Sequence, residues 1–224
     1  QRQMCIRDRR RISMMKVTDN EIAKPRKSQF YPRYIKRGID LIISFLLLVI
    51  LWPLFLVLAG WIKLDSSGPV FFRQERMGKN GRPFKIYKFR TMYINAPQLA
   101  TASFENPEKY ITKVGKWLRK SSLDELPQLI NVFKGEMSII GPRPLILKEK
   151  KVLSLRHANG AEAVLPGITG LAQVRGRDLV TDEQKAAYDG EYAANLTLAE
   201  DARICCKTFF DVICSRGIHE GKKK

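Results

Sequence analysis

From Leu41 to Ile62 the chain runs for 22 residues without a charge, LIISFLLLVILWPLFLVLAGWI. As one straight helix this length crosses the hydrocarbon core of a bilayer. Pro53 sits near the middle, and the first arm, Leu41 to Trp52, reaches only about 18 Å at ~1.5 Å per residue. The pattern then shortens. PVFFRQERMGKNGRPFKIYKFRTM, residues 69–92, predicts two short strands joined at Asn80-Gly81, a strong hairpin turn signal. By the two-residue period Phe84, Ile86, Lys88 and Arg90 share a face, so a basic pair continues an apolar row. Lys88 then points into a site or, if the strand ends or bulges, into solvent.

Beyond residue 105 the period becomes helical. Asn106-Pro107-Glu108 predicts a capped start, Ile111, Val114 and Leu118 a buried stripe, and Arg119 the end. Pro127 costs no hydrogen bond only in a first turn, which puts the next N-cap at Asp124 or slightly later. Ser122 and Glu125 match a capping box, but that start would place Pro127 at the fifth helical position and remove a bond. Leu129, Ile130, Val132 and Phe133 follow, and Gly135 stops the helix. Leu145 to Ala158 predicts a helix running to Gly160. Thr181 to Asn195 opens on a Thr-x-x-Gln capping box and carries Tyr188, Asp189 and Tyr192. The last helix, about Leu198 to Cys214, sets Ile204, Thr208, Phe209, Val212 and Ile213 on one side, to pack on the core or lie at a bilayer interface.

At 224 residues, 45% hydrophobic, the chain holds one ordinary core plus an accessory segment. Gln1 to Ser13 has no initiating methionine and no periodicity, and reads as a non-native extension with Met14 or Met15 as the true start. Residues 14–34 form a flexible basic lead-in, 35–63 a membrane element and 64–224 the main domain. The formal net charge of +18 suggests nucleic acid, an anionic membrane or a phosphorylated substrate. Residues 1 to 37 carry 12 Lys/Arg against 3 Asp/Glu, beside the apolar run, which favours a membrane surface. Arg26 to Arg37 and Lys63 to Arg82 each carry 5 Lys/Arg. The basic asymmetry that orients a spanning helix is therefore missing. Equal flanks favour a re-entrant helix hairpin with its break at Trp52-Pro53 over a kinked spanning helix. The Lys222 to Lys224 run reads as solvated or touching lipid headgroups.

Cys5, Cys205, Cys206 and Cys214 form no CxxC pair, and His157 and His219 stand far apart, so a zinc site or disulfide framework is not expected. Cys205 and Cys206 read as reduced packing residues.

The candidate chemistry lies in KSSLDELPQLINVFKGEMSIIGPRP, residues 120–144. It places Asp124 and Glu125 between Lys113, Lys116, Arg119 and Lys120 upstream and Gly141-Pro142-Arg143-Pro144 downstream. Acids at a helix start can simply complement the dipole. Here two prolines also restrict the backbone around one guanidinium, lowering the entropy lost when Arg143 grips an oxyanion. A carboxylate among such cations can attack phosphorus. LPGITGLAQVRGR, residues 165–177, carries Gln173, Arg175 and Arg177 among glycines. It offers N–H groups and guanidinium forks to phosphates, or is a plain turn, and it matches no Walker or Rossmann spacing.

The hairpin with Pro53, KIYKFRTM, SSLDELPQL with FKGEMSIIGPRP, and PGITGLAQVRGR, in this order, resemble the bacterial sugar transferases of the monotopic phosphoglycosyl transferase family. The resemblance covers Tyr34 to the last helix. It implies an α+β fold: a mostly helical small catalytic domain with a short β-hairpin, on an N-terminal re-entrant membrane helix hairpin. It implies transfer of a sugar 1-phosphate from a UDP-sugar to polyprenol phosphate, with UMP released and Mg2+ as cofactor. Asp124 matches the nucleophile and Glu125 its partner, in the second half-reaction or at the metal. Lys88, Arg119 and Arg143 match positions near the phosphates. Gln173, Arg175 and Arg177 match the glycine-rich segment, serving nucleotide or architecture, and Asp189 matches an acidic position, here a candidate substrate contact. Some relatives have Ser-Pro where this chain has Trp52-Pro53. Membrane phospholipid is a further expected partner and a homodimer is left open. The implied location is the bacterial inner membrane, with the domain on the cytoplasmic face.

Two other classes stay in view. A membrane-tethered nucleic-acid binder would use the positive charge, but no recognition helix or aromatic platform motif is present and no nucleic acid is expected. A non-catalytic scaffold would keep the fold, but it has no need of the Asp124-Glu125 pair.

Overall fold

The computed structural model describes residues 30–96, 107–176 and 180–213. The expectations for 1–13 and 14–29, for the Asn106 cap, for Arg177 and for Lys222 to Lys224 lie outside these residues.

Phe30 leads into a π-helical turn, Tyr31–Ile35, and then α1, Lys36–Asp65, 30 residues long. The lead-in thus becomes helical before residue 35. Pro53 lies inside α1, so the expected helix-break-helix is absent as a break in helical backbone. A proline removes one N–H and crowds the carbonyl four residues back, a defect the turns on either side absorb.

One narrow stripe of α1 meets protein: Lys36, Asp40, Ser44, Leu58 and Ile62 are buried. Leu58 and Ile62 join Phe89, Val114 and Leu118 in one apolar cluster. At the other end Lys36 Nζ lies 2.7 Å from Asp201 Oδ2, and Asp40 Oδ1 accepts from the Ile139 N–H at 3.0 Å. Arg37 donates to the carbonyls of Val132 (2.7 Å) and Phe133 (3.0 Å). Both ends of the helix are therefore fastened to the same domain. Its other side exposes Ile42, Phe45, Leu46, Val49, Ile50, Trp52, Leu56 and Val57. A continuous apolar face of this kind marks membrane association.

β1 (Phe71–Met77) and β2 (Pro83–Phe89) pair antiparallel, and Asn80 and Gly81 both take positive φ (54° and 71°) in the turn. Arg90, on the Lys88 face, does not enter a site. It is buried and donates to the carbonyls of Ser66 and Ser67, closing the C-terminal end of α1.

α2 (Lys113–Lys120) begins later than expected. Thr112 is extended and its Oγ1 accepts from the Gly115 N–H at 2.9 Å, while Pro107–Tyr110 forms a separate 3-10 turn. α3 (Gln128–Lys134) ends at Gly135, φ 87°. β3 (Ser138–Ile140) follows, and α4 (Lys150–Ala158) starts five residues later than the pattern suggests. The Leu145 carbonyl is already committed to the Met77 N–H, and the Ile146 N–H to Glu149 Oε2.

The segment read as a glycine loop instead contains β4 (Gly167–Thr169) and α5 (Leu171–Gly176). β4 pairs parallel with β3, an unforeseen two-stranded sheet. A Cβ at Gly167 would lie 2.1 Å from the Gly141 nitrogen, and one at Gly170 2.1 Å from the Gly141 oxygen. The glycines serve close backbone approach.

α6 (Asp182–Ala194) carries the expected Thr181–Gln184 capping box. α7 (Leu198–Ile213) buries Ile204, and Thr208 Oγ1 is 2.7 Å from Thr169 Oγ1. Phe209, however, is 64% exposed, as is Phe210. At about 100° per residue Phe209 falls roughly 140° from Ile204, so the expected stripe splits. Cys205 and Cys206 are free and exposed, not packed.

Candidate active site

Asp124 and Glu125 do not open α3. They lie on a separate 3-10 turn, Leu123–Glu125, between α2 and α3. Ser122 takes φ 56°, a left-handed conformation uncommon for a residue with a Cβ, and turns the chain after α2. The N–H groups of Glu125 and Leu126 donate to the carbonyls of Ser122 and Leu123. Pro127 has no N–H to continue that ladder and becomes the N-cap of α3. Ser122 makes no side-chain cap. The pair is thus displayed on a short turn one step before the helix.

Glu125 is held. Lys88 Nζ lies 2.6 Å and an Arg143 guanidinium nitrogen 3.4 Å from the same oxygen, Oε1. Burial alone would raise its carboxyl; Lys88 first and Arg143 second hold it down at about 2. Asp124 accepts no hydrogen bond from a described residue. Burial pushes its carboxyl up to about 6 against the pull of Lys88, with Glu125 adding to the rise and Arg119 and Arg143 opposing it. Arg119 is steadied by Thr91, whose Oγ1 accepts from Nε at 3.1 Å.

Lys88 is aimed by a side chain that sequence patterns did not single out. Asn131, fully buried on α3, accepts from the Tyr87 N–H at 3.0 Å and donates to the Lys85 carbonyl at 2.8 Å. Its amide acts as a short strand against β2, fixing the residue next to Lys88.

The structure brings together Lys88, Arg119 and Arg143 with Asp124 and Glu125. It does not bring Gln173, Arg175 or Asp189 among the charges acting on the pair. Gln173 donates to the Ile168 carbonyl at 3.2 Å. Arg175 forks onto Glu191, at 2.6 Å for one of two contacts, and lies over the Tyr188 ring. Asp189 is 1% exposed and pairs with Arg156, Nε to Oδ2 2.8 Å. Arg76 is a further missed cation: its guanidinium donates to the Pro144 carbonyl at 3.3 Å and to Gln74 Oε1 at 2.7 Å. Trp52 and Pro53 lie on α1, Trp52 on its exposed side.

The Asp124-Glu125 pair offers hard carboxylate oxygens of the kind Mg2+ takes when phosphate oxygens and water complete its shell. One Glu125 oxygen is engaged by Lys88 and Arg143, leaving the other and the Asp124 carboxylate as donors. Among the described residues no group of three or more His, Cys, Asp or Glu gathers at one point. The donor set fits a cation shared with a phosphorylated substrate, not a protein cage.

Comparison with known proteins gives the same direction. The model of the family described as bacterial sugar transferase matches residues 31–215. The exopolysaccharide production protein ExoY of Sinorhizobium fredii is 40% identical over 200 residues, 81% of this chain and 87% of that protein. EpsL of Bacillus subtilis, named an uncharacterized sugar transferase, is 39% identical over 186 residues, 83% of this chain and 91% of its own. The undecaprenyl-phosphate glucose phosphotransferase of Komagataeibacter xylinus is 41% identical over 192 residues, 81% of this chain but 36% of that longer protein. The chain belongs to the bacterial sugar transferase family, among the polyprenyl-phosphate sugar-1-phosphate transferases.

Proposed function

We propose that this sugar transferase moves a sugar 1-phosphate from a UDP-sugar to polyprenol phosphate through a covalent intermediate on Asp124. The observation that carries the reading is the division of roles in the acidic pair. Glu125 is locked by Lys88 and Arg143, whereas Asp124 accepts no hydrogen bond from a described residue and its carboxylate is destabilised by burial. An unlocked, poorly solvated carboxylate is the better nucleophile.

In the first step an Asp124 oxygen attacks the phosphorus that carries the sugar. The bond from that phosphorus to the bridging oxygen breaks, and UMP leaves with the oxygen. In the second, a phosphate oxygen of the polyprenol phosphate attacks the same phosphorus. The aspartyl–phosphorus bond breaks, the carboxylate is restored, and polyprenyl diphosphate sugar departs. Lys88, Arg119 and Arg143 offset the charge of the diphosphate, which otherwise repels the attacking carboxylate. Asp124 and Glu125 would hold Mg2+, which supplies Lewis-acid neutralisation of phosphate oxygens when bound.

The fastening of both ends of α1 to one domain supports a helix kinked at Pro53 that dips into the bilayer without crossing it, since a spanning helix would carry one end to the far side, out of reach of that domain. That placement on the cytoplasmic face of the inner membrane lets a water-soluble donor and a lipid acceptor reach one site.

UMP release from a panel of UDP-sugars, with Mg2+ and polyprenol phosphate, tests the reading against Asp124→Asn. Release lost in the variant, with a phosphosugar adduct in the intact mass of the wild type, is the expected result. Undiminished release from Asp124→Asn would overturn the mechanism.

A further inference from the structure

Arg143 offers its guanidinium from a loop whose backbone is held at five consecutive residues. The Gly141 N–H donates to the Thr169 carbonyl at 2.8 Å, and the Pro142 carbonyl accepts from the Gly167 N–H at 2.9 Å. The Arg143 carbonyl accepts from an Arg156 guanidinium nitrogen at 2.9 Å, the Pro144 carbonyl from Arg76, and the Leu145 carbonyl from the Met77 N–H. The contact at Arg143 itself comes from a buried charge. Arg156 is 6% exposed, and its other edge meets Asp189 of α6, with Nη2 2.5 Å and Nε 2.8 Å from Oδ2.

A buried ion pair of this kind is an expensive way to join two helices, because apolar side chains of similar volume do it at no desolvation cost. α4 and α6 are already tied by Asn159, whose Nδ2 donates to the Ala186 carbonyl at 2.6 Å and whose side chain packs against Gly190. What the pair adds is direction. Asp189 takes up one edge of the guanidinium, so the remaining nitrogen is presented to the Arg143 carbonyl. That contact fixes the peptide plane between Arg143 and Pro144. Pro142 and Pro144 lack N–H groups, leaving carbonyls as their only backbone handles. Rotation of the plane would swing the Arg143 side chain away from Glu125.

We infer that Arg156 and Asp189 are positioning residues of the transferase: Asp189 orients Arg156, and Arg156 holds the Arg143 backbone so that its guanidinium meets the substrate phosphate. The inference rests on the reading of Arg143 as a phosphate ligand. It gives Asp189 a role behind the phosphate site instead of a substrate contact.

The test is a double-mutant cycle in the full chain, read as kcat and KM for UMP release, with Tm recorded for each variant. Arg156→Met with Asp189→Leu removes the pair without leaving a lone buried charge. With Arg143 present this change lowers kcat about 10- to 100-fold, the scale of a small misplacement at a reacting centre. In an Arg143→Ala background it costs no more than about twofold, because residues acting through one another are not additive. An equal loss in both backgrounds means the pair serves stability alone and overturns the inference. If Arg143→Ala lowers activity and removal of the pair does not, the inference fails while the phosphate reading stands; if Arg143→Ala changes nothing, both fail. Should the neutral pair not fold, Arg156→Lys carries the same cycle, since it keeps a counter-charge for Asp189 but cannot fork to both partners.

Discussion

Lys88 Nζ lies 2.6 Å from Glu125 Oε1, and the same lysine is the strongest charge opposing the rise at Asp124. One ammonium thus serves both carboxylates. Lys88→Met should lower kcat/KM for UMP release about 100-fold or more, the scale of one preorganised charge at a phosphoryl centre. Lys88→Arg should retain part of the activity, and equal rates for Lys88→Met and wild type would exclude a role in charge neutralisation.

The two carboxylates respond oppositely to pH. Asp124, pushed up to about 6 in the folded state from its ordinary 3.8, favours the folded state below the lower value and loses that advantage as pH rises through about 6. Glu125, about 2 against 4.5, stabilises above the higher value and loses this as pH falls through about 2. In divalent-free buffer at pH 7, Asp124→Asn should therefore be more stable than wild type, on the order of 1–3 kcal/mol, and Glu125→Gln less stable. Near pH 4 the Asp124→Asn advantage should nearly vanish. Denaturant unfolding at both pH values checks this, and destabilisation by Asp124→Asn at pH 7 would contradict it.

Gly167 and Gly141 approach so closely that a Cβ on Gly167 meets backbone atoms of Gly141 at 2.1 and 2.6 Å. Neither contact can be relieved by a flexible side chain. Gly167→Ala should cost more than about 3 kcal/mol or prevent accumulation of folded protein. Gly38→Ala, in α1 with nothing within 4 Å, should be neutral or stabilising. Thermal unfolding of both variants decides it.

The two ends of α1 should lie on one side of the membrane. With Cys5, Cys205, Cys206 and Cys214 replaced by serine, cysteines placed at Phe30 and Ser67 should both react with an impermeant maleimide in inverted vesicles, and neither in spheroplasts. Labelling from opposite sides would establish a spanning helix instead.

Much of the architecture was written in local patterns. The Asn80-Gly81 turn, the Gly135 stop, the Thr181–Gln184 box and the orientation of Lys88 each follow from residues a few positions apart, where backbone sterics and the two-residue period act. The acidic pair and Arg143 were legible because unusual charges sit beside residues that restrict the backbone. Element starts were less legible. The Asp124 cap gave way to a 3-10 turn because Ser122 took a left-handed conformation, and α4 began late because Met77, from a distant strand, claimed the Leu145 carbonyl.

By itself the sequence determined the β-hairpin, most of the helices, the long apolar run and the residues that carry charge to the acidic turn, since each depends on neighbours along the chain. Only the tertiary structure decided which charges meet. Arg175 went to Glu191 and Asp189 to Arg156, while Asn131 aligned β2 and the glycines of residues 165–177 spaced two strands. A guanidinium or a glycine has no partner encoded in its local spacing. Its role is set by which distant backbone or carboxylate the fold brings within about 3 Å.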